Sequence, residues 1–453
     1  MSDLVIRSAL GLFTALDGPA ARAQGDIRIR DGRILAIGEI PPLPGDRIID
    51  ASGCIVTPGL VNTHHHLFQS VLKGIAAGIN VPLEPWLRMV PYAHWHRLDG
   101  EALAVAAELG MVELLLQGCT TLADHHYLFD AAQNYDAAQI LFETAERLGL
   151  RFVLARGGSA ISRSFDNDDI VPMPVESVEQ MLSATEALAH RYHDPAADGM
   201  ARVALAPTTP FWSLPAGSLP EVIAATRAMG LRLHSHLSET GTYVDYALAS
   251  FGQRPIPYVA SQGWVGEDVW YAHLVHLDAD EVAILAETGT GMAHCPQSNG
   301  RLGSGIAPAS ALAARGGRVS LGVDGAASNE AADLVSEMHV GWMFQRAAHG
   351  AGAATCEEVL RWATAGGADV LGLAAIGTLA PGQAADIAIF DLAHPRYAGL
   401  HDPLIAPVAS GGAAHLRHVL VGGRQVVQDG AIPGLDLPRL MARAAATVQR
   451  MAG

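Results

Sequence analysis

The chain has 453 residues, is 50% hydrophobic and 17% charged, and carries a formal net charge of −17 with 4 cysteines. This is a globular composition with room for one large domain and a smaller one, and its acidic balance excludes a surface for phosphate polyanions or anionic membranes, which needs clustered Lys and Arg. Cys54, Cys119, Cys295 and Cys356 are far apart and form no C-x-x-C, so neither a disulfide framework nor a thiolate zinc site is indicated, in keeping with a reducing cytoplasm.

Met1-Ser2-Asp3-Leu4 shows no basic segment leading into an apolar stretch, and no apolar run reaches the length of a membrane span. The expectation is a soluble, cytoplasmic protein. Up to about Pro58, Asp26-Ile27-Arg28-Ile29-Arg30 and Arg33-Ile34-Leu35-Ala36-Ile37 alternate around Asp31-Gly32, a hairpin signature. From there, eight apolar runs read as buried strands: Ile55 to Val61, Thr120 to Asp124, Arg151 to Arg156, Val203 to Pro207, Leu231 to His236, Val269 to His273, Gly291 to Cys295 and Val319 to Asp324. They are short and largely apolar, as strands buried on both faces read. Helical periodicity falls between many of them, at Glu101 to Leu116, Ala137 to Leu148, Val178 to Ala189 and Pro220 to Met229, and again at Glu358 to Leu371. Strand and helix in alternation predict a parallel sheet, and eight strands predict a (β/α)₈ barrel, an α/β fold.

Strand texture returns at Asp386 to Phe390 and at His418 to Val421, where Gly422-Gly423 turns into Arg424 to Val427. We therefore expect residues 1–58 and 375–453 to build one small β-sandwich domain around a barrel of residues 59–374. A terminal helix is expected from Leu437 to Met451.

The chemistry sits at the C-terminal ends of the barrel strands. His64 and His66, two apart, face the same side of a strand while His65 points away. H-x-H alone is weak in a chain with 20 histidines. His94-Trp95-His96 repeats the spacing without a strand beneath it and reads as surface or lid. His125-His126 diverge from each other, which leaves one of them to face the pocket. His236 ends the fifth strand, and Glu239, three residues on, takes a proton-carrier position beside the metal. His234, lower on the same face, reads as a hydrogen-bonded core histidine. His273 ends the sixth strand and His276 lies in the loop beyond. Asp324 stands between Gly322 and Gly325, which permit close approach and a sharp exit, and Ser328 is expected to cap a helix beginning near Glu330. His64, His66, His236 and Asp324 would hold a divalent ion with a position open to water. Zinc is the default and iron accepts the same donors. The fourth strand carries no lysine to bridge a second ion, so one metal is expected.

Pro58-Gly59-Leu60-Val61-Asn62-Thr63-His64-His65-His66, His236-Leu237-Ser238-Glu239-Thr240, His294-Cys295-Pro296-Gln297-Ser298-Asn299 and Asp324-Gly325-Ala326-Ala327-Ser328-Asn329 together resemble the amidohydrolase superfamily, in particular its aminohydrolase branch, which deaminates purines, pterins and triazines. Within that branch His64 to Ser70, Cys295 to Leu302 and His401-Asp402-Pro403 look like the members acting on isoxanthopterin, with those acting on 8-oxoguanine next. The resemblance implies that a bound ion brings the pKa of water toward neutrality, that Asp324 takes its proton, that Glu239 moves a proton to the ring nitrogen beside the attacked carbon, and that His273 orients the nucleophile. Ammonia leaves, and isoxanthopterin would become 7-oxolumazine. The resemblance also implies a homo-oligomer.

A flat bicyclic lactam needs an apolar wall and a few polar contacts. Gln69, Trp86 and Arg156 are the foremost candidates, followed by Tyr127, Trp212 and Gln297. For Trp86 and Trp212 ordinary packing is an equal reading, and for Arg156 an ion pair elsewhere. A non-catalytic assembly relative would be expected to lose metal ligands, whereas His64, His66, His236 and Asp324 are all present with Glu239 and His273. The cytidine-type zinc deaminase, the H-E-x-x-H peptidase and the G-x-S-x-G hydrolase are excluded because their motifs are absent.

Overall fold

The computed structural model describes residues 3–162 and 170–452; Met1 and Ser2 of the amino-terminal reading lie outside them. Eight parallel strands close a barrel: β1 Leu60–Asn62, β2 Cys119–His126, β3 Arg151–Gly158, β4 Ala201–Pro207, β5 Arg232–Leu237, β6 Val269–His273, β7 Gly291–His294 and β8 Val319–Leu321. Each neighbours the next in chain order, the pattern that strand–helix alternation dictates when crossovers keep one hand. Ala123, Ala155, Ala204, Ala206 and Ala293 line the interior beside Trp270. These small side chains leave room for one large indole at mid-barrel and for imidazoles above it.

The run Ile55 to Val61 is not one strand. Cys54–Pro58 pairs with Ile387–Asp391 and Gly11–Phe13 outside the barrel, and only Leu60–Asn62 joins it. Gly59 is the hinge: a Cβ there would overlap the Thr120 side chain. Closure between β8 and β1 rests on the single register pair Leu321↔Asn62, reinforced where Thr63 N donates to Leu321 O at 3.0 Å and Asp324 N to His64 O at 3.0 Å. The eighth strand is thus shorter than the sequence pattern suggests, because Gly322-Val323-Asp324 turns out of the ladder toward His64.

Strands from both chain ends form a four-stranded and a six-stranded sheet. Leu4, Ile6, Ile27 and Ile29 of one pack with Leu12, Val56, Ile387 and Ile389 of the other in a shared core. Arg151 at the base of β3 forms a two-point bond with Asp386, at 2.6 and 2.9 Å, which fixes the sheets to the closed end of the barrel. The helix expected from Glu101 runs Gly100–Leu115 behind an Asp99 cap, and the one expected from Glu358 is interrupted at Trp362–Gly366 by a wider turn. The closing helix is Leu437–Ala452. No helix among the described residues is long and apolar enough to cross a membrane.

Candidate functional site

The barrel mouth brings together His64, His66, His236, His273 and Asp324, all buried. The proton positions on the imidazoles follow from their partners, because a backbone carbonyl can only accept. His66 Nδ1–H donates to His125 O at 2.7 Å and His236 Nδ1–H to Thr208 O at 2.7 Å. His234 Nδ1–H donates to Trp270 O at 3.0 Å, so its Nε2 accepts from His64 Nδ1–H at 2.9 Å. Burial holds all four rings neutral, His234 down to about 3. The Nε2 atoms of His64, His66 and His236 therefore carry lone pairs.

Those lone pairs converge. His66 Nε2 lies 3.1 Å from His236 Nε2, and Asp324 Oδ1 lies 3.3 Å from His66 Nε2 and 3.4 Å from His64 Nε2. His64 Nε2 is buried with no partner. Four acceptors facing one another without a shared proton are mutually repulsive, and a cation between them removes the repulsion. Neutral imidazoles and a carboxylate are donors suited to zinc or iron. The residues present fit a divalent metal ion.

The ligands are oriented from behind. Ser298 Oγ donates to Asp324 Oδ2 at 2.6 Å and Ser328 Oγ to the same oxygen at 3.1 Å. Ser328 is not the helix cap expected of it: the helix begins at Leu334 behind Asp333, and the hydroxyl serves the carboxylate instead. His234 is the hydrogen-bonded core histidine that its position suggests, and it also fixes the His64 tautomer. His273 Nδ1 bonds Asn299 Oδ1 at 2.9 Å, and its Nε2 lies 3.7 Å from Glu239 Oε2. Gly322 admits His64, whose Cβ would lie 2.7 Å from an added Cβ, and at Gly325 an added Cβ would collide with the Gln69 amide. Ser238, His273, Leu274 and Asp324 all hold left-handed backbone, at φ of 52°, 73°, 52° and 60°. Such strain persists only where surrounding structure enforces it, and it gathers at functional sites.

A cavity opens over these groups, lined in part by His66, His236, Glu239, His273 and Asp324. Gln69, Trp86, Tyr127 and Trp212 line it as the sequence suggests, and Leu83, Tyr92, Thr208, Thr209 and Tyr243 are further wall residues that the sequence reading missed. Tyr243 stands in the first turn of the helix Gly241–Phe251 that follows Glu239, a closeness in sequence that is a signal; nothing local marks Tyr92. Two candidates sit elsewhere. Arg156 is bound to Glu176, NH2 to Oε2 at 2.7 Å, and its guanidinium covers Phe129. Gln297 donates to the buried Glu337 at 3.0 Å. Arg156 NH1 and NH2 and Gln297 Nε2 are each committed to a carboxylate, and neither residue lines the cavity. His94 bonds Val90 O, off the cavity.

Residues 55–426 match the amidohydrolase family model. The chain is 47% identical to an isoxanthopterin deaminase from an unknown prokaryotic organism, covering 99% of this chain and 97% of that protein. It is 42% identical to an 8-oxoguanine deaminase of Pseudomonas aeruginosa, covering 98% of each. The structure superposes on an atrazine chlorohydrolase of Arthrobacter aurescens complexed with zinc with a TM-score of 0.90, at 29% identity over 98% of this chain and all of that one. The chain belongs to the amidohydrolase family and is a hydrolase.

Proposed function

We propose that the protein is a metal-dependent deaminase of a bicyclic aminoheterocycle, with isoxanthopterin as substrate and 7-oxolumazine and ammonia as products. One observation carries the reading: three imidazole lone pairs and the Asp324 carboxylate converge beside Glu239 and His273 at the floor of an aromatic-walled cavity. Pterin chemistry is supported by the 47% identity to an isoxanthopterin deaminase.

His64, His66, His236 and Asp324 would hold one divalent ion, zinc in the first instance, which when bound would supply Lewis acidity and draw the pKa of water toward neutrality. Asp324 accepts a proton from the attacking water as its oxygen bonds the amine-bearing ring carbon. Glu239 delivers a proton to the ring nitrogen next to that carbon, which makes the carbon electrophilic. His273, fixed by Asn299, orients the water. The carbon–nitrogen bond then breaks, the amine takes up the proton held by Asp324, the proton left on the attacking oxygen passes to Glu239, and ammonia leaves a carbonyl behind. Trp86 and Trp212 flank the ring while Gln69 and Tyr127 meet its polar edge. Trp86 is held for this by its indole N–H, which donates to Ala327 O at 3.2 Å.

The test is ammonia release from isoxanthopterin and, in parallel, from 8-oxoguanine by zinc-loaded protein. Faster turnover of isoxanthopterin is expected. Preference for 8-oxoguanine would replace the substrate and keep the mechanism, and inactivity on both with the ion bound would overturn the reading.

A further inference from the structure

We infer that His125 is an additional nitrogen donor to the ion, so that the site holds two overlapping ligand sets. The His125 ring is fully buried. Its Nε2 lies 2.7 Å from Ala206 O, an obligate acceptor, so Nε2 carries the proton and Nδ1 the lone pair. That Nδ1 has no partner. A ring nitrogen from each of His64, His66, His125 and His236 lies within 4.8 Å of the other three, and a second group, His64, His236, His273 and Asp324, satisfies the same limit. The two groups share His64 and His236.

The placement of His125 is enforced from several sides. Its ring stacks on His236 at 4.7 Å and 29°. Its backbone N–H donates to His65 O at 2.8 Å, and its carbonyl takes the His66 Nδ1 proton. Gly157 faces the ring, and a Cβ there would lie 2.9 Å from His125 Cδ2. His126 next to it points away, against Phe68 and Phe129, and stands in neither group. A buried, unpartnered lone pair on a ring packed beside His64, His66 and His236 is an environment that a cation relieves. An all-imidazole set keeps the ion in place when the Asp324 carboxylate is taken away, and it biases the site toward zinc, copper, nickel and iron rather than manganese or magnesium.

The ligand assignment rests on the metal site of the proposed function but not on its substrate. The experiment measures zinc affinity by chelator competition, and the visible spectrum with cobalt(II) in place of zinc, for the full chain and for Asp324→Asn, His125→Phe and the double variant. Asp324→Asn is expected to retain one ion per chain, and adding His125→Phe to weaken zinc binding at least 10-fold further, the scale of losing a metal-site group. The cobalt spectrum should change in His125→Phe alone. Equal zinc affinity of Asp324→Asn and the double variant, with an unchanged cobalt spectrum in His125→Phe, would overturn the assignment. Should the phenylalanine variants fail to fold, X-ray absorption at the zinc edge of Asp324→Asn decides: four imidazoles support the inference and three refute it. Deamination by the wild type is scored separately, so that a failed substrate assignment is not mistaken for a failed ligand.

Discussion

The amino-terminal strands and the barrel mouth treat buried polar groups in opposite ways. Within residues 3–58, and where Arg151 meets the sheets, buried charges are matched. Arg28 bonds Asp3 at 2.7 Å and Asp46 at 3.0 Å, Arg30 bonds Asp3 at 2.8 Å, and Arg151 grips Asp386 with two nitrogens. No buried side-chain atom among residues 3–58 lacks a partner. At the open end His64 Nε2, Gln69 Oε1 and His125 Nδ1 have none. An unmatched buried polar atom costs about 1–3 kcal/mol, so the mouth is destabilised until a ligand arrives. One region is built to hold the chain together, and the other is held open by it.

Removing the ion should break this contrast most severely. Chelation is expected to abolish turnover and lower the thermal midpoint, and zinc to restore both, read by ammonia release and calorimetry. An unchanged midpoint after complete metal removal would show that the lone pairs at the mouth are satisfied in another way. Glu239→Gln comes next. It removes proton transfer and leaves the ion bound, so turnover should fall by about 10²–10⁴-fold with metal content intact. Wild-type-like turnover would sink the proton-carrier role.

Ser298→Ala tests orientation. Loss of the 2.6 Å bond to Asp324 should lower activity or metal affinity by about 10–100-fold, and an effect confined to thermal stability would make Ser298 a packing residue. Asp386→Ala, at the opposite end, should have the smallest effect on turnover and the sharpest on the fold. It leaves the buried Arg151 guanidinium unpaired, a loss of about 3–5 kcal/mol visible in denaturant unfolding, with turnover per folded molecule unchanged. A matching loss of activity would show that the two ends are coupled.

The barrel was legible in the sequence because its strands are buried on both faces and read as short apolar runs, with helical periodicity between many of them. The first strand misled for the same reason: Ile55 to Val61 is continuously apolar, and apolarity does not say that Cys54–Pro58 belongs to one sheet and Leu60–Asn62 to another. The helix Gly241–Phe251 is absent from the sequence reading, and the one expected near Glu330 begins at Leu334. Polar contacts were harder still. Arg156 at a strand end is as well placed for a substrate as for Glu176, and only the chain folded around it selects the carboxylate.

The sequence by itself determined which strand ends carry chemistry, since a two-residue repeat fixes that His64 and His66 share a face and that Glu239 follows His236 at the rim. Tertiary structure alone decided which nitrogen of each imidazole is free. That choice is made by carbonyls of Thr208, Trp270, Ala206 and His125, each on a different strand or loop from the ring it fixes. A hydrogen bond between distant residues aims a ring and sets its proton only once the barrel has closed.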